Sequence, residues 1–481
     1  MKIMLINPNM LVNKDFALKE ASFPLGLGYL AAIASDKKQD VVILDSLIEG
    51  IETCRPFNNH FNEYGLPDEA VLERIKQFKP KLIGVSCSFT SRWPIVSRLI
   101  SRIKKEFPEA YIIIGGIHPT NSPESVLRDE NVDFIAIGEA ERTFEKFLSY
   151  LDGGKVKLAD ISGFGYKSDG VLHINKDIDF VKDLDDIPLP ARDKLPYERY
   201  VSFNRNSIIA TRGCPFKCLF CSMHTVMGRN YRKRSAKKVV DELELIKDRY
   251  GAAFFSFDDD NLTMDNKFII ELCDEIIRRK LNIYWNTPNG INISSLTYEG
   301  LAKMKQAGCY STCLAIESGD ERILGIMRKN ISLKKVRQVV SWCRELGIFT
   351  LGLFVIGMPG ENKESLEKTK EFALSLPLDV INVFIATPFP GTEFFDYCLE
   401  KGLLKDDSLD VFNCHEAVIH TGFLSPKEVK AFQLKFLEEF NSTKKVPFSL
   451  AILKRVVRNP GSLDFLVDLQ QNYFGREKDS R

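Results

Sequence analysis

The sequence predicts an α/β protein with an N-terminal Rossmann-like, doubly wound parallel sheet, a partial (β/α)6 TIM-like barrel and a C-terminal helical segment. Two observations predict it. Short apolar runs alternate with amphipathic stretches through the first 150 residues, and after a glycine- and proline-rich interruption the alternation resumes from Ser207 with a longer period. A chain of 481 residues is long enough for two or three cores. We therefore expect four regions, at 1–150, 151–200, 201–398 and 399–481.

The first region contains five apolar runs that are typical of buried strands. They are Lys2–Pro8, Val41–Ser46, Leu82–Ser88, Ala110–Gly116 and Asp133–Glu139. Helical spacing of apolar residues marks the segments between and after them: LGYLAAIASDKK, DEAVLERIKQF, IVSRLISRIKKEF and ERTFEKFLSYL. Strands that alternate with helices predict a parallel sheet, whose ligands bind at the carboxyl ends of the strands.

The second region breaks this pattern. Glycines separate short β runs in DGGKVKLADISGFGYKSDGVLHI, and the acidic stretch DLDDIPLPARDKLP is punctuated by proline. We expect a small hairpin followed by a connector.

The third region repeats a strand and a helix six times. The predicted strands are SIIATRG, Phe254–Asp260, Asn282–Thr287, Cys309–Ser318, Phe349–Gly357 and Val380–Pro388. Six units are too few for a complete eight-unit barrel but are enough for a partial one, with its active site at the carboxyl ends of the strands. For the basic stretch FSLAILKRVVRN in the last region, we expect a lid helix packed on the barrel, the alternative being peripheral contact with a membrane surface.

Composition restricts the classes of partner and location. Lys and Arg total 66 and Asp and Glu total 65, so the charge balance gives no indication of nucleic-acid binding. No apolar run approaches the roughly 20 residues that a transmembrane helix requires. Eight of the eleven cysteines are scattered without disulfide-like spacing, which indicates packing residues in a reducing compartment. We expect a cytoplasmic protein that acts on small molecules.

The segment CPFKCLFC holds the other three cysteines, Cys214, Cys218 and Cys221. Structural zinc is the first alternative for clustered cysteines, but it takes four ligands, commonly in paired CxxC or CxxC with HxxxH arrangements. Three thiolates suit a four-iron, four-sulfur (4Fe-4S) cluster that leaves one iron free of protein ligands. The segment follows the first predicted barrel strand, which places it at the mouth of the barrel.

With this spacing the segment resembles the CxxxCxφC signature of the radical S-adenosylmethionine (SAM) superfamily, in which φ is aromatic; Phe220 is the aromatic residue here. The resemblance implies that the three cysteines hold a 4Fe-4S cluster and that the fourth iron chelates SAM. Reductive cleavage of SAM then gives methionine and a 5′-deoxyadenosyl radical, which abstracts hydrogen from the substrate. It also implies an electron donor such as flavodoxin or ferredoxin.

The same resemblance gives roles to residues at later strand ends. After the second strand, Asp259, Asp260 and Asn261 match positions that bind the methionyl amine, although they are equally suited to cap the next helix. At the fourth strand, Glu317 and Ser318 match positions that face the ribose and carboxylate of SAM. At the fifth strand, Gly357, with Pro359 after it, allows the backbone to approach adenine closely.

The first region lacks the GxGxxG of a dinucleotide site directly after its first strand, so a dinucleotide is not expected. It resembles instead the cobalamin-binding domain fused to many radical SAM enzymes. The DxHxxG motif, whose histidine ligates cobalt, is absent here. The loops at the strand ends supply the candidate cobalamin contacts, with His118 as a further candidate: Ser86, Gly115, Gly116, Gly138 and Glu139.

Together these resemblances imply a cobalamin-dependent methyltransferase that acts on an unactivated carbon, or occasionally a phosphorus, of a small molecule or lipid. Radical cyclisation, rearrangement or carbon–carbon coupling without methyl transfer is the alternative. The barrel motifs argue against a non-catalytic carrier. The lack of a net basic charge argues against a methylthiotransferase that acts on tRNA. The basic residues after the cysteines form either a site for a substrate anion or a solvated approach to a helix: Arg229, Arg232, Lys233 and Arg234.

Overall fold

The computed structural model describes residues 1–14, 16–201, 205–404 and 412–443. In the first half of the chain the strands are β1 Lys2–Asn7, β2 Met10–Asn13, β3 Asp40–Asp45, β4 Cys54–Pro56, β5 Phe61–Tyr64, β6 Leu82–Ser86, β7 Tyr111–Gly115, β8 Phe134–Ala136, β9 Phe164–Ser168 and β10 Val171–Asn175. The helices there are α1 Leu25–Asp36, α2 Ser46–Glu49, α3 Asp68–Phe78, α4 Trp93–Glu106, α5 Ile117–Asn121, α6 Pro123–Arg128 and α7 Glu141–Leu151.

The second half of the chain continues the alternation. Its strands are β11 Ser207–Ile208, β12 Thr211–Arg212, β13 Arg232–Lys233, β14 Phe254–Phe257, β15 Tyr284–Ile291, β16 Cys309–Glu317, β17 Phe349–Ile356 and β18 Val380–Ile385. Its helices are α8 Met223–Met227, α9 Ala236–Tyr250, α10 Asn266–Arg278, α11 Tyr298–Gln306, α12 Glu321–Ile326, α13 Leu333–Leu346, α14 Lys363–Ser375, α15 Glu393–Glu400 and α16 Pro426–Ser442.

The first sheet has seven strands in the order β10-β9-β8-β7-β6-β1-β3. Five neighbouring strands of this sheet pair in parallel: β3, β1, β6, β7 and β8. At one edge β9 and β10 are added in antiparallel pairing. Ile3 and Leu5 of β1 face a core that includes residues of α1 and α7, whereas Met4 and Ile6 face a core that includes residues of α3 and α4. Both faces of the sheet are covered, so the predicted doubly wound α/β fold is confirmed.

The hairpin predicted after residue 150 is present as β9 and β10, and β9 also pairs with β8, so the hairpin extends the first sheet. Another feature of this half differs from the sequence prediction. The small antiparallel sheet β2-β5-β4 was not predicted; its strands are short and mixed in polarity, so they give no clear apolar run. The connector that follows contains short 3₁₀ turns at Leu184–Asp186, Arg192–Lys194 and Tyr197–Arg199.

The second sheet is the partial barrel, with six parallel strands in the order β11-β14-β15-β16-β17-β18. Its main core includes Phe255, Trp285 and Phe354, all fully buried, packed against apolar residues of the surrounding helices. Strand β15 begins two residues later than predicted and runs on to Ile291, with register shifts against β16. The predicted partial (β/α)6 architecture is confirmed.

The first predicted barrel strand, SIIATRG, is divided in two. Ser207 and Ile208 pair with β14, whereas Thr211 and Arg212 pair with β13 in a separate hairpin. The buried Asp259 carboxylate accepts hydrogen bonds from the backbone amides of Ala210 and Thr211 at 3.1 and 2.5 Å. These amides therefore bond to a side chain instead of a neighbouring strand, which accounts for the break.

The chain beyond the barrel is partly described. Helix α16 begins at a capping box in which Ser425 and Glu428 bond to each other's backbone amides, and Phe436 and Phe440 pack in the barrel core. The predicted basic stretch FSLAILKRVVRN lies outside the described residues. Within the described ranges, no helix has the length and apolar character that crossing a membrane would require.

Candidate functional site

The three clustered cysteines lie in the irregular loop between β12 and α8. At its start, Gly213 has a φ of 85°, and a Cβ there would lie 2.2 Å from the Asn230 carbonyl oxygen, so only glycine fits. The Cys214 amide donates to Gly228 O at 3.2 Å and the Cys221 amide to Cys218 O at 3.2 Å. The loop is folded back on itself, and all three thiols are partly exposed.

Packing fixes this loop on the barrel. The Leu219 amide donates to Met327 O at 3.0 Å, and the Phe394 amide donates to Leu219 O at 3.2 Å. Phe220 packs beside Leu219 against a small core that includes Met327 and Phe394. The predicted aromatic residue of the signature is thus placed as an apolar anchor of the loop.

The thiols of the loop are partly buried and interact with one another. Burial raises the pKa of Cys218, an effect that Lys329 opposes, and burial raises the pKa of Cys221 to about 11. Cys214 also raises the pKa of Cys218, and both raise the pKa of Cys221, so the three thiols lie close enough to interact. No set of three His, Cys, Asp or Glu side chains in the described residues is arranged around a single-ion position. Three adjacent, partly open thiols are a ligand set that fits a 4Fe-4S cluster.

The acidic residues after β14 have different environments. Both oxygens of Asp259 accept hydrogen bonds from Ala210 and Thr211, and burial raises the pKa of Asp259 to about 7. Asp260 is only partly buried, and burial raises its pKa to about 6, an effect that Arg212 opposes. Asp259 therefore accepts hydrogen bonds from the backbone, whereas Asp260 is more exposed to solvent.

Asn261 directly adjoins the cysteine loop. Its Nδ2 lies 3.8 Å from Cys214 Sγ and 3.6 Å from Met264 Sδ. Its Oδ1 is buried and has no hydrogen-bond partner. An orphaned acceptor this close to a cysteine sulfur is available to a donor group of a ligand.

A basic residue that sequence analysis did not predict, Lys329, lies beside the end of β16 and close to Cys218. Lys329 Nζ lies 2.8 Å from Glu317 Oε1, with both side chains largely buried. Glu317 also has a left-handed φ of 69°, a strained conformation typical of functional positions. Lys329 follows a short helix at no recognisable spacing from the cysteines, so the sequence offered no signal for it.

The other two predicted barrel residues are held by internal hydrogen bonds. Ser318 is fully buried and its Oγ lies 3.0 Å from Thr369 Oγ1. The Gly357 amide donates to Glu361 Oε2 at 2.5 Å, and Gly357 has a φ of 87°. Burial raises the pKa of Glu361 to about 7, and its Oε1 has no partner. Glu361 was not predicted from the sequence.

A cavity of about 290 Å³ lies at the carboxyl edge of the first sheet. All five predicted cobalamin contacts line it: Ser86, Gly115, Gly116, Gly138 and Glu139. Its opposite wall comes from the barrel half of the chain, from Ile209, Arg212 and three residues of α8, Met223, Val226 and Met227. The cavity therefore lies between the two sheets, next to the cysteine loop.

The lining of this cavity lets a ligand lie directly against the backbone of the first sheet. Glycines at positions 26, 84, 115, 116 and 138 leave much of one wall as bare backbone. A Cβ on Gly115 would meet only the Ala136 Cβ, at 3.8 Å, so this position is open for lack of a side chain. The rest of the lining is mainly apolar, which is typical of cofactor sites.

His118 does not line the cavity. It is 2% exposed, its Nδ1 lies 3.4 Å from Thr90 Oγ1, and its ring lies 5.2 Å from that of Trp93. Burial lowers the pKa of His118 to about 4, so the ring is neutral at pH 7. Its place in the fold is that of a packed residue beside the site.

The basic residues after the cysteines bond within the protein. Arg229 donates to Phe216 O, Lys233 pairs with Asp265, and Arg234 pairs with the buried Glu242. Arg232 donates to Glu139, Val181 O and Met227 O, each at 2.7 Å. The hypothesis of a substrate anion site here loses its simplest support, because all four cations already have partners.

A second junction joins the same parts of the molecule. Asn121 Oδ1, at the end of α5, accepts from Thr225 Oγ1 of α8 at 2.7 Å. On its other side, a Cβ at Gly391 in the TPFPGT loop would lie 2.2 Å from that oxygen. The first sheet, the cysteine loop and the last barrel loop thus meet at Asn121.

Comparison with known proteins assigns both halves. Residues 18–148 match the B12 binding domain and residues 208–373 match the radical SAM superfamily. The chain is 31% identical over 388 residues to an uncharacterized methyltransferase of Pyrococcus horikoshii, with 79% of each chain covered. It is 28% identical over 484 residues to cytidylyl-2-hydroxyethylphosphonate methyltransferase of Streptomyces wedmorensis, with 92% of this chain and 90% of that protein covered.

A solved structure shares the fold. The cobalamin-dependent S-adenosylmethionine radical enzyme OxsB, with aqua-cobalamin and S-adenosylmethionine bound, matches with a TM-score of 0.73 at 16% identity. The match covers 99% of this chain and 71% of that chain.

Proposed function

Because the chain belongs to the radical SAM enzymes that carry an N-terminal B12-binding domain, we propose that it is a cobalamin-dependent methyltransferase acting on an unactivated carbon, or on phosphorus, of a small molecule or lipid. One observation carries the proposal. Helix α8 begins two residues after Cys221, and three of its five residues line the cavity at the first sheet. A substrate at this junction would lie within reach of both cofactors.

When bound, the cluster with SAM supplies a 5′-deoxyadenosyl radical and cobalamin supplies a methyl group. The residues of this chain would hold and shield these groups. Cys214, Cys218 and Cys221 would ligate the iron, and Asp260 and Asn261 are the best-placed candidates for the polar end of SAM. The first-sheet glycines would cradle cobalamin.

Asp259 and Ser318 have roles that are better explained by the fold. The carboxylate of Asp259 holds the break in the first barrel strand, and Ser318 is bonded to Thr369 in the interior. We therefore propose that these two residues support the site from behind. Glu317, paired with Lys329 beside Cys218, remains a candidate for contact with SAM.

The proposal extends to domains, partners and location. We propose regions 1–150 for cobalamin, 151–200 as hairpin and connector, 201–398 as the radical SAM barrel and 399–481 as the C-terminal region. An electron donor of the flavodoxin or ferredoxin type would reduce the cluster. All eleven cysteines are free, which supports a reducing location such as the cytoplasm.

Product analysis tests the reaction class. The protein would be purified anaerobically with cobalamin supplied, reconstituted with iron and sulfide, reduced, and incubated with SAM labelled on its methyl group. We expect both 5′-deoxyadenosine and S-adenosylhomocysteine, the latter only in the cobalamin-loaded protein. Protein prepared without cobalamin is the matched control.

The alternatives give other products. Radical cyclisation, rearrangement or coupling predicts 5′-deoxyadenosine without cobalamin-dependent S-adenosylhomocysteine. A non-catalytic carrier predicts neither product. Either pattern would overturn the methyl-transfer proposal.

A further inference from the structure

Glu139 lies where the two cofactor sites meet. It follows Gly138 after β8, lines the cavity, and has a side chain that is 1% exposed. Its Oε1 accepts from Arg212 Nη1 at 2.7 Å, and its Oε2 accepts from Arg232 Nη1 at 2.7 Å and from the Val181 amide at 3.1 Å. One carboxylate of the first domain therefore binds two guanidinium groups of the barrel domain.

Those two arginines are the two ends of the segment that holds the cysteines. Arg212 ends β12 and Arg232 begins β13, and the two residues are direct partners in the antiparallel register. Arg212 stands two residues before Cys214, and residues 213–231 between the arginines contain all three cysteines. Glu139 thus holds both ends of this loop from the opposite domain.

Further groups surround the contact between Glu139 and Arg212. Arg212 Nη2 donates to Glu141 Oε1 at 2.7 Å, and its guanidinium lies over the Tyr29 ring at 5.3 Å from the centroid. Tyr29, Glu139, Glu141 and Arg212 all line the cavity. A ligand in the cavity would therefore touch the groups that fix the loop.

Burial makes this contact stiff. Removing one partner of a buried ion pair leaves the other charge unpaired and desolvated, which is strongly unfavourable. Breaking these pairs is therefore costly, which favours joint movement of Arg212 and Arg232 with Glu139 if the ends of β8 and α7 shift. Displacement at the cavity would then be transmitted to both ends of the cysteine loop, and displacement of the loop would be transmitted back.

We propose that Glu139 is a positioning residue that couples occupancy of the cobalamin cavity to the cysteine loop, so that each cofactor alters the affinity for the other. This rests on the proposed function, because it takes cobalamin as the cavity ligand and the 4Fe-4S cluster as the loop ligand. Thermodynamic linkage requires the effect to be equal in both directions.

The chain supplies a closely matched control. Glu242 is also 1% exposed and also binds two arginines, Arg192 at 3.0 Å and Arg234 at 2.5 Å, but it does not line the cavity. A Glu242→Gln variant removes the same charge from the same type of buried cluster. It reports the cost of losing a buried carboxylate that bonds to neither Arg212 nor Arg232.

The experiment measures the dissociation constant of hydroxocobalamin by absorbance titration, with and without the reconstituted cluster. In the wild-type protein we expect assembly of the cluster to change that constant by at least about fivefold, the lower end of measured couplings between sites. In Glu139→Gln the two constants should agree within twofold, whereas Glu242→Gln should keep the wild-type difference. The low-temperature EPR spectrum of the reduced cluster should likewise change on adding cobalamin in the wild type and Glu242→Gln only.

Equal constants in the wild-type protein, or an undiminished difference in Glu139→Gln, would overturn the inference while leaving methyl transfer untouched. Failure of the wild type to bind hydroxocobalamin at all would overturn both this inference and the cobalamin part of the proposed function. If Glu139→Gln does not fold, Arg212→Lys keeps the charge but not the paired hydrogen bonds with Glu139 and Glu141, and it is expected to reduce the difference.

Discussion

The carboxyl edges of the two sheets present different groups to their candidate ligands. The first sheet presents glycine backbone, and its five predicted residues line one cavity. The barrel presents side chains, several of which already bond to the protein, as Asp259 does to Ala210 and Thr211. From this difference we expect the first site to select its ligand by shape and the second by ligation and hydrogen bonding. Substitutions should therefore affect one site while largely sparing the other.

Cys218→Ala is expected to give the largest difference between the effects on the two sites. Losing one of three thiolates should abolish retention of the cluster, because the loop offers no fourth cysteine. We expect iron and sulfide content, and 5′-deoxyadenosine formation, to fall to background. Hydroxocobalamin should still bind, with a dissociation constant that differs from the wild-type value only by the coupling factor. Cys54→Ala, which changes an exposed cysteine of the first half, is the control and should keep wild-type iron.

At the carboxyl edge of the barrel, the buried Glu361 should make the stability of the protein depend on pH. Burial raises the pKa of Glu361 to about 7, so between pH 4.5 and 7 the folded state keeps a proton that the unfolded state has lost. The contribution of this carboxyl to stability therefore falls as pH rises, by about 3 kcal/mol in all. The melting temperature of the wild type minus that of Glu361→Gln should fall from pH 5 to pH 8. A constant difference would contradict the prediction, and exposed Glu364→Gln should show no such trend.

Gly115→Val tests shape selection at the first edge. The Cβ of the new side chain would meet only the Ala136 Cβ, at 3.8 Å, so we expect the fold to tolerate valine while its methyl groups occupy the cavity. We expect the dissociation constant of hydroxocobalamin to rise about 30-fold, with a melting temperature within about 3 °C of the wild type. Iron content should be unchanged. Gly325→Ala, in an uncrowded helical position of the barrel, is the control.

The smallest effect is expected from Asp260→Asn, compared with Asp259→Asn. Asp260 is partly exposed near the cysteine loop, so its loss should weaken SAM binding about fivefold without a large change in stability. Asp259→Asn should instead lower the melting temperature, because an amide group would replace the carboxylate oxygen Oδ2, which accepts from the Ala210 amide, and two donors would then face each other. Equal effects of both variants on SAM binding would contradict this division.

Sequence patterns predicted the elements well because buried parallel strands are apolar along their whole length. They placed the candidate cobalamin residues on one edge because strand ends of a parallel sheet converge. They could not separate Asp259 from Asp260, since the two are adjacent and chemically identical. Nor could they find the partners of Glu139, because Arg212 lies 73 residues away and nothing local distinguishes it from the other cations. Lys329 and Glu361 were missed for the same reason, as their roles arise only from packing.

The contact between Asn121 and the Gly391 loop sets an order of events during synthesis. The cysteine loop is made 170 residues before Gly391, so this side of the junction cannot close until the sixth barrel strand has left the ribosome. At about 5–20 residues per second, that interval lasts roughly 10 to 30 s. During it the cysteine loop also lacks the hydrogen bond that the Phe394 amide donates to Leu219 O, so this side of the loop is not yet packed against the barrel.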